Sequence, residues 1–199
     1  MTDPESYFDN LYSDDPDPWA YRRRWYEKRK RDLTLACLPR QRYSRGFEPG
    51  CSNGELSVEL AKRCDQLLCT DLNAQAVDLA RKRVAGLPGV EVLQRTLPEG
   101  WPPGEFDLIV LSELGYYLSP QAWQDVAQRA GKNLTAGGSL LACHWLHPIE
   151  GCQMDGPGVH RLLAQALELE PLIHHQEKDF ILELWGRPPV GFDLSEVVE

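Results

Sequence analysis

The sequence lacks any long hydrophobic run. No apolar stretch approaches the ~20 residues that a membrane-spanning helix needs. The segment Met1-Thr2-Asp3-Pro4-Glu5 is acidic and lacks the basic and then apolar order of a signal peptide. We therefore expect a cytoplasmic protein with no membrane partner. With 42% hydrophobic and 26% charged residues, the composition is typical of a globular domain.

Cysteine pairs of the Cys-x-x-Cys type are also absent. Most of the cysteines lie inside apolar segments, so we expect free buried thiols rather than a disulfide framework. Because no paired thiolate ligands are present, zinc is disfavoured and we expect no metal. The six cysteines are Cys37, Cys51, Cys64, Cys69, Cys143 and Cys152.

Basic residues are scarce outside one segment. The net charge is −9, yet residues 22–45 hold ten of the 21 Lys and Arg. Since the remainder of the chain is strongly acidic, we expect no nucleic-acid partner. We interpret the basic run mainly as a solvated helix face, with RNA binding as the alternative.

The chain divides into an N-terminal part and an alternating core, which we predict to form one domain over 1–199. Residues 1–18 are rich in Asp, Pro and Ser, and we expect an irregular arm there. Pro18-Trp19 fits a helix start, which predicts a helical cap over 19–38 that ends before Pro39. Residues 43–186 then alternate between strand and helix patterns.

The alternation predicts a doubly wound α/β fold with a mostly parallel sheet. Phe106–Leu111 is a near-continuous apolar run, as expected of a central strand buried on both faces. The last two strands flank the turn Glu177-Lys178-Asp179, which predicts an antiparallel C-terminal hairpin. The seven predicted strands are 43–47, 66–70, 90–93, 106–111, 139–145, 172–176 and 180–185, and the core helices are 55–63, 74–84, 120–130 and 159–169.

Two features lie beyond the carboxyl ends of predicted strands, where open α/β sheets bind ligands. Gly50 and Gly54 allow a sharp turn and a close backbone approach, and the next helix points its N-terminus at the ligand. Asp71, 21 residues after Gly50, is placed to accept hydrogen bonds from both ribose hydroxyls. Ser52 replaces the middle glycine of a dinucleotide fingerprint, and no Walker lysine follows. The pattern indicates an adenosine ligand rather than a nucleoside triphosphate.

The motif Glu48-x-Gly50-Cys51-Ser52-x-Gly54, followed by Asp71 and Phe106–Val110, resembles the class I S-adenosylmethionine-dependent methyltransferases. Ser112–Leu118 and the pattern Asp17-Pro18-Trp19 with Tyr26-Glu27-x-Arg29 look closer to the nodulation-type N-methyltransferases, which act on chitooligosaccharide amines. The stretch from His144 to Pro148 is similar to relatives found alongside sugar N-deacetylases. The resemblance covers roughly residues 17–186. It implies a Rossmann-like methyltransferase fold and S-adenosylmethionine as cofactor.

The resemblance also implies which residues contact the cofactor. Asp71 would hold the ribose diol, and Arg29 would pair with the cofactor carboxylate. Many family members carry an Asp at the position of Thr96, so the adenine amino group is left to a hydroxyl or to the backbone. The implied cofactor-binding residues are Trp19, Tyr26, Arg29, Gly50, Cys51, Ser52, Gly54, Asp71, Leu72, Thr96 and Leu97.

Candidate catalytic residues follow two later strands. Methyl transfer depends mainly on alignment, because the sulfonium is already a good leaving group. Glu113 is a candidate to accept a proton or orient the acceptor, with a helix cap or a cofactor contact as the alternative. Tyr116 and Tyr117 are candidates to line the acceptor pocket, although we expect one of them to be core packing. His144 and His147 are candidate bases, with a structural hydrogen bond as the alternative.

The leading hypothesis is an enzyme that transfers a methyl group from S-adenosylmethionine to a small-molecule acceptor, favouring an amine of an amino sugar. O-methylation of a small metabolite and a non-catalytic S-adenosylmethionine-binding role are the alternatives. Whether the chain forms a homodimer is left open.

Overall fold

The computed structural model describes residues 4–190 and residue 192. The helices are α1 (Pro4–Asp14), α2 (Trp25–Ala36), α3 (Glu55–Ala61), α4 (Ala74–Arg83), α5 (Pro120–Asn133) and α6 (Gly156–Ala166). The strands are β1 (Tyr43–Pro49), β2 (Cys64–Asp71), β3 (Val90–Gln94), β4 (Phe106–Ser112), β5 (Leu134–Trp145), β6 (Glu170–Gln176) and β7 (Phe180–Gly186). A short 3₁₀ helix, Gly115–Tyr117, follows β4.

The strands form one seven-stranded sheet in the order β3-β2-β1-β4-β5-β7-β6. The pairs from β3 to β5 are parallel, while β7 runs antiparallel to both β5 and β6. The strand order reverses between β1 and β4, which opens a crevice at the carboxyl ends of these strands. The predicted doubly wound sheet with an antiparallel C-terminal hairpin strand is confirmed.

Helices cover both faces of the sheet. In β4, Leu108 and Val110 join the cluster that α3 and α4 complete, while Ile109 and Leu111 join the cluster of α5 and α6. Adjacent residues of a strand face opposite sides, so a strand buried on both faces needs an unbroken apolar run. The run predicted at 106–111 is therefore the centre of the core.

The irregular arm predicted over 1–18 is wrong for residues 4–14, which form α1, while residues 15–18 lie outside any helix or strand. Phe8 and Tyr12, one helical turn apart, are buried and reach rings beyond the helix. Phe8 lies against Trp19 and Tyr117, and Tyr12 lies edge-on to Trp19. These tertiary contacts order a segment whose composition favours irregular structure. Residues 1–3 of the predicted arm lie outside the described residues.

The helix predicted from Trp19 begins only at Trp25 and ends at Ala36. The carboxylate of Asp17 accepts hydrogen bonds from the backbone amides of Tyr21 and Arg22, at 2.8 and 3.2 Å. Ala20 adopts a φ of 57°, which interrupts a right-handed helix. A side chain that satisfies these amides stabilises a turn in place of the first helical turns.

The other predicted boundaries agree with the structure to within three residues, except that β5 begins at Leu134 rather than at residue 139. All six cysteines are free, as expected, and four of them are buried. Among the described residues, the helices are too short or too polar to span a bilayer.

Gly54 is required by packing between helices. Its φ is +80°, and a Cβ placed there would lie 3.0 Å from the Cα of Ala80 in α4. Gly86 has a similar φ of +85°, but its Cβ would meet nothing within 4 Å. The two glycines therefore share the same backbone requirement and differ in their surroundings.

We expect Gly54→Ala to lower the free energy of unfolding by about 2–5 kcal/mol, the sum of the left-handed backbone cost and the cost of overpacking. The matched control Gly86→Ala should lose only the backbone cost of about 1–2 kcal/mol. Urea denaturation measures both values. Equal losses in the two variants would contradict the packing role of Gly54.

Candidate active site

A cavity of about 210 Å³ lies between the carboxyl ends of β1, β2 and β4 and the helices α1 and α2. Its size exceeds that of a water site, because one ordered water needs only about 10–15 Å³. Ten of the predicted site residues line it: Trp19, Gly50, Cys51, Ser52, Asp71, Leu72, Thr96, Leu97, Glu113 and Tyr117. The structure thus brings together residues that are up to 98 positions apart in the chain.

Four predicted site residues do not line the cavity: Tyr26, Arg29, Gly54 and His144. Arg29 donates two hydrogen bonds of 2.7 Å to the carboxylate of Glu177, on the turn between β6 and β7. These hydrogen bonds lower the pKa of Glu177 to about 2. Tyr26 lies edge-on against Trp145 and Phe180. Arg29, predicted to pair with the cofactor carboxylate, is turned by α2 toward the hairpin and is engaged by Glu177 instead of lining the cavity.

Asp71 lies at the carboxyl end of β2. Its two oxygens accept hydrogen bonds from the backbone amides of Ser52 and Asn73, at 2.9 and 3.0 Å. Burial raises the pKa of Asp71, although these amides oppose the shift. No ion pair within the described chain involves Asp71. A carboxylate has roughly four acceptor sites, and Asp71 has no side-chain donor among its described partners, so it retains acceptor capacity toward a ribose.

The N-terminal segment is tied to the glycine turn by two side-chain contacts. The hydroxyl of Tyr12 lies 2.6 Å from Oγ of Ser52. Nδ2 of the fully buried Asn53 donates to Asp17 at 3.0 Å. Oδ1 of Asn53 has no hydrogen-bond partner among the residues that the structure describes. The N-terminal segment therefore covers the glycine turn, while the buried Oδ1 of Asn53 remains unpaired.

Glu48 is a buried carboxyl group beneath the same turn. It is the penultimate residue of β1, is 3% exposed and lines the cavity. Sγ of Cys69 donates to its Oε2 at 3.4 Å. Burial raises the pKa of Glu48 to about 7. Glu48 therefore holds a proton more readily than an exposed glutamate does, and a cation in the cavity would favour its charged form.

An ion cluster forms the opposite wall of the cavity. Nζ of Lys30 lies 2.8 Å from Oε1 of Glu113 and 3.0 Å from Oε2 of Glu27. Lys30 is 6% exposed. Burial opposes the charge of Lys30, but the carboxylates of Glu113 and Glu27 outweigh it and raise its pKa. With both carboxylates ionised, this wall carries a net charge of −1.

Glu113 is held by donors on both oxygens. Besides Lys30 on Oε1, its Oε2 accepts hydrogen bonds from the hydroxyl of Tyr116 and, at 3.3 Å, from the backbone amide of Trp145. Burial raises the pKa of Tyr116 well above its ordinary value, so it remains a phenol and a donor. The carboxylate predicted as a base is therefore fixed in place with its lone pairs engaged.

His144 is fully buried among the rings of Tyr116, Trp123 and His160. Its Nε2 accepts a hydrogen bond of 3.1 Å from the amide of Gly115, and burial lowers its pKa well below the ordinary value. His144, predicted as a candidate base, does not line the cavity, and both of its ring nitrogens have hydrogen-bond partners in Gly115 and His160. These contacts favour the alternative interpretation, in which His144 makes structural hydrogen bonds.

Residues 47–138 match the family model described as a methyltransferase domain. A crystal structure described as that of a candidate methyltransferase from Pseudomonas syringae is 51% identical, and the match covers 82% of this chain and 100% of that chain with a TM-score of 0.74. The chain belongs to the class I S-adenosylmethionine-dependent methyltransferases.

Two further relatives of this methyltransferase carry nodulation names. Nodulation protein S from Rhizobium tropici is 29% identical over 127 residues, which are 63% of this chain and 53% of that protein, so the match spans about half of the curated relative. The N-methyltransferase NodS from Bradyrhizobium japonicum WM9, in complex with S-adenosyl-l-homocysteine, has a TM-score of 0.82 at 22% identity. That match covers 93% of this chain and 98% of the other and shows a common fold. The predicted family, fold and cofactor, S-adenosylmethionine, are confirmed.

Several residues of the methyltransferase cavity were missed by the sequence analysis. Lys30 was counted in the solvated basic run, although Glu27 and Lys30 stand three residues apart and share a helix face. Tyr12 was missed because no helix was predicted there, and the spacing of Phe8 and Tyr12 was its only signal. Asn53 stands inside the recognised motif, but its buried and unpaired oxygen is a tertiary property.

Glu48→Gln should stabilise the ligand-free methyltransferase more at pH 8 than at pH 5. The pKa of Glu48 is raised from 4.5 to about 7 in the folded state, so the folded wild type takes up a proton that the unfolded chain releases. Wild-type stability therefore falls as the pH rises from 4.5 to about 7, and the variant lacks this loss. The difference should reach about 3 kcal/mol, at 1.36 kcal/mol for each pH unit.

Denaturant unfolding at several pH values measures this difference, and Glu99→Gln, at an exposed position, serves as the control. A gain for Glu48→Gln that does not change with pH would show that Glu48 is ionised throughout.

Proposed function

We propose that the protein transfers a methyl group from S-adenosylmethionine to a small-molecule acceptor, and that the acceptor is an amine of an amino sugar. The observation that carries the choice of an amine is the anionic wall of Glu27, Lys30 and Glu113, whose carboxylates are already engaged. The nodulation N-methyltransferases that resemble this chain support the amino sugar.

The cofactor half of the cavity suits adenosine at the end of β2. In the proposed arrangement Asp71 accepts the ribose hydroxyls, Leu72 and Leu97 border the adenine, and Thr96 lies at its edge. Acceptor capacity left on Asp71 and the apolar neighbours supports these roles. Trp19 lines the same cavity, where we propose that it closes over the ligand.

The methionine part of the cofactor is assigned to the glycine turn. Gly50, Cys51 and Ser52 line the cavity there. Glu48 and the unpaired oxygen of Asn53 are acceptors that suit an ammonium group. For the cofactor carboxylate we propose Arg31, which lines the cavity, in place of Arg29.

The acceptor half offers no free base among the described residues. The bound cofactor supplies an activated methyl group, so the protein has to align the acceptor and exclude water. Glu113 is engaged by Lys30 and Tyr116, and burial raises the pKa of Tyr117. A neutral amine brings its own lone pair, whereas a hydroxyl has to lose a proton to become a good nucleophile. This contrast favours N-methylation over O-methylation.

The charge of the acceptor wall also favours an amine. Within this wall Glu27 and Glu113 outnumber Lys30, and the three side chains are at most 14% exposed. Arg31, which also lines the cavity, is assigned to the cofactor carboxylate in this proposal. Electrostatic attraction is stronger in such a site than in water. An ammonium group is drawn to this wall, and Tyr117 supplies an aromatic face beside it. The neutral amine is the nucleophile, so in the proposed sequence the ammonium group gives its proton to bulk solvent before the protein closes over the acceptor.

A methyl-transfer assay across matched acceptors tests the proposal. We expect S-adenosyl-l-homocysteine to form with glucosamine oligomers that carry a free amine and not with the N-acetylated oligomers of equal length, because acetylation removes the nucleophilic lone pair. Polyamines and catechols complete the panel. Turnover with catechols alone would favour O-methylation, and calorimetric binding of S-adenosyl-l-homocysteine without any turnover would favour the non-catalytic role.

Asp71→Ala should weaken the affinity for S-adenosyl-l-homocysteine about 10- to 100-fold, the loss of charge-assisted hydrogen bonds worth about 1.5–3 kcal/mol. Glu113→Gln should leave this affinity within about threefold, since its carboxylate faces the acceptor side, and lower turnover at least about tenfold. Calorimetry and initial rates measure the two effects. Asp65→Ala, at the opposite end of β2, is the control. Equal losses of affinity in the first two variants would contradict the division of roles.

A further inference from the structure

Behind the turn that follows β4 lies a chain of buried side chains that the proposed function does not use. Nε2 of His144 in β5 accepts a hydrogen bond from the amide of Gly115 at 3.1 Å. Nδ1 of His144 lies 3.0 Å from Nε2 of His160 in α6. Nδ1 of His160 lies 2.7 Å from Oε2 of Glu183 in β7. The chain thus joins the turn to the centre of two further elements.

The hydrogen-bonded row of His144, His160 and Glu183 is not a metal site. Among residues 4–190 and residue 192, no three His, Cys, Asp or Glu side chains are grouped so that they could hold a metal ion. His147, which stands near His144 in the sequence, is directed elsewhere and pairs with Asp179 at 2.8 Å. The two buried histidines therefore bond to each other, and His144 also bonds to the amide of Gly115.

The hydrogen bonds between Gly115, His144, His160 and Glu183 allow one placement of the ring protons. The amide of Gly115 only donates, so Nε2 of a neutral His144 is an acceptor and its proton is on Nδ1. That proton is donated to Nε2 of His160, whose own proton is then on Nδ1 and is donated to Glu183. A second proton on His160 would place an N–H of His160 opposite the N–H of His144, and two donors cannot form a hydrogen bond. Both rings are thus neutral, in agreement with the lowered pKa of His144.

Gly115 belongs to the turn that positions Glu113 and Tyr117, the two residues of this turn assigned to the acceptor half of the cavity. It opens the 3₁₀ helix that bears Tyr117, and it follows Glu113, whose φ of 56° is strained for a residue with a side chain. A Cβ on Gly115 would lie 2.5 Å from Cγ1 of Val159 and 2.9 Å from Trp123. The turn is therefore pressed against α5 and α6, and its amide has one acceptor, the ring of His144.

We propose that His144 is a positioning residue of the methyltransferase: through the amide of Gly115, and backed by His160 and Glu183, it holds Glu113 and Tyr117 in the geometry that the acceptor requires. This role rests on the proposed function, because it concerns the acceptor half of the same site. The cofactor half, at the ends of β1 and β2, does not depend on it.

Two substitutions of His144 separate the two contacts of its ring. In His144→Gln the longer side chain places an amide oxygen near the position of Nε2, so the acceptor for Gly115 is kept. In His144→Asn the shorter side chain keeps a polar group near Nδ1, facing His160, and loses the acceptor for Gly115. We expect His144→Asn to lower kcat for the acceptor at least about tenfold and His144→Gln to lower it less than about threefold. The affinity for S-adenosyl-l-homocysteine should stay within about twofold in both variants.

Equal losses of kcat in the two variants, or a parallel loss of cofactor affinity, would overturn the positioning role. Unchanged kcat in His144→Asn would do the same.

A measurement on the wild type remains decisive if a variant does not fold or if no acceptor is methylated. With ¹⁵N-labelled histidine at pH 7, the proposal requires that the rings assigned to His144 and His160 both carry their proton on Nδ1. It also requires a strongly protected Gly115 amide in hydrogen exchange. A proton on Nε2 of His144, or rapid exchange at Gly115, would overturn the proposal. Absence of methyl transfer together with the expected tautomers would instead count against the proposed function.

Discussion

The contact between Lys30 and Glu113 connects the two halves of this structure. Lys30 belongs to an N-terminal helix that precedes the sheet, and Glu113 follows directly after the central strand β4. Removing one partner of such a buried pair leaves an uncompensated charge, which costs about 3–5 kcal/mol in comparable cases. Because both side chains line the cavity, the same contact that docks α2 on the sheet also defines the acceptor wall.

The two sides of the cavity are built on different principles. The cofactor side consists of backbone turns and strand ends, where the backbone amide of Ser52, in the turn after β1, donates to the carboxylate of Asp71 at the end of β2. The acceptor side consists of side chains from distant elements, with Lys30 from α2, Glu113 after β4 and the backbone of Trp145 at the end of β5. A methyltransferase scaffold can therefore keep one cofactor site while its acceptor site changes.

Buried titratable groups lie in the cavity wall and behind it, and the neighbours of Lys30 and His144 keep each of these two side chains in one protonation state. Lys30 is charged because two carboxylates flank it, and His144 is neutral because burial and the amide of Gly115 exclude a second proton. Glu48 is the exception, since its raised pKa of about 7 leaves its charge sensitive to what occupies the cavity. Electrostatics in this site depends on packing more than on the net charge of the chain.

The sequence by itself determined the elements that local pattern controls. The apolar run at 106–111 predicts a central strand because both of its faces are buried, and Asp71 after Gly50 predicts an adenosine site because parallel strands end at one edge. Only the tertiary structure decided which charged residues enter the cavity. Lys30 and Arg29 are neighbours in one basic run, yet one is buried against Glu113 and the other binds Glu177 at the surface. The rotation of α2 on the sheet makes this choice, and it depends on partners more than 80 residues away in the chain.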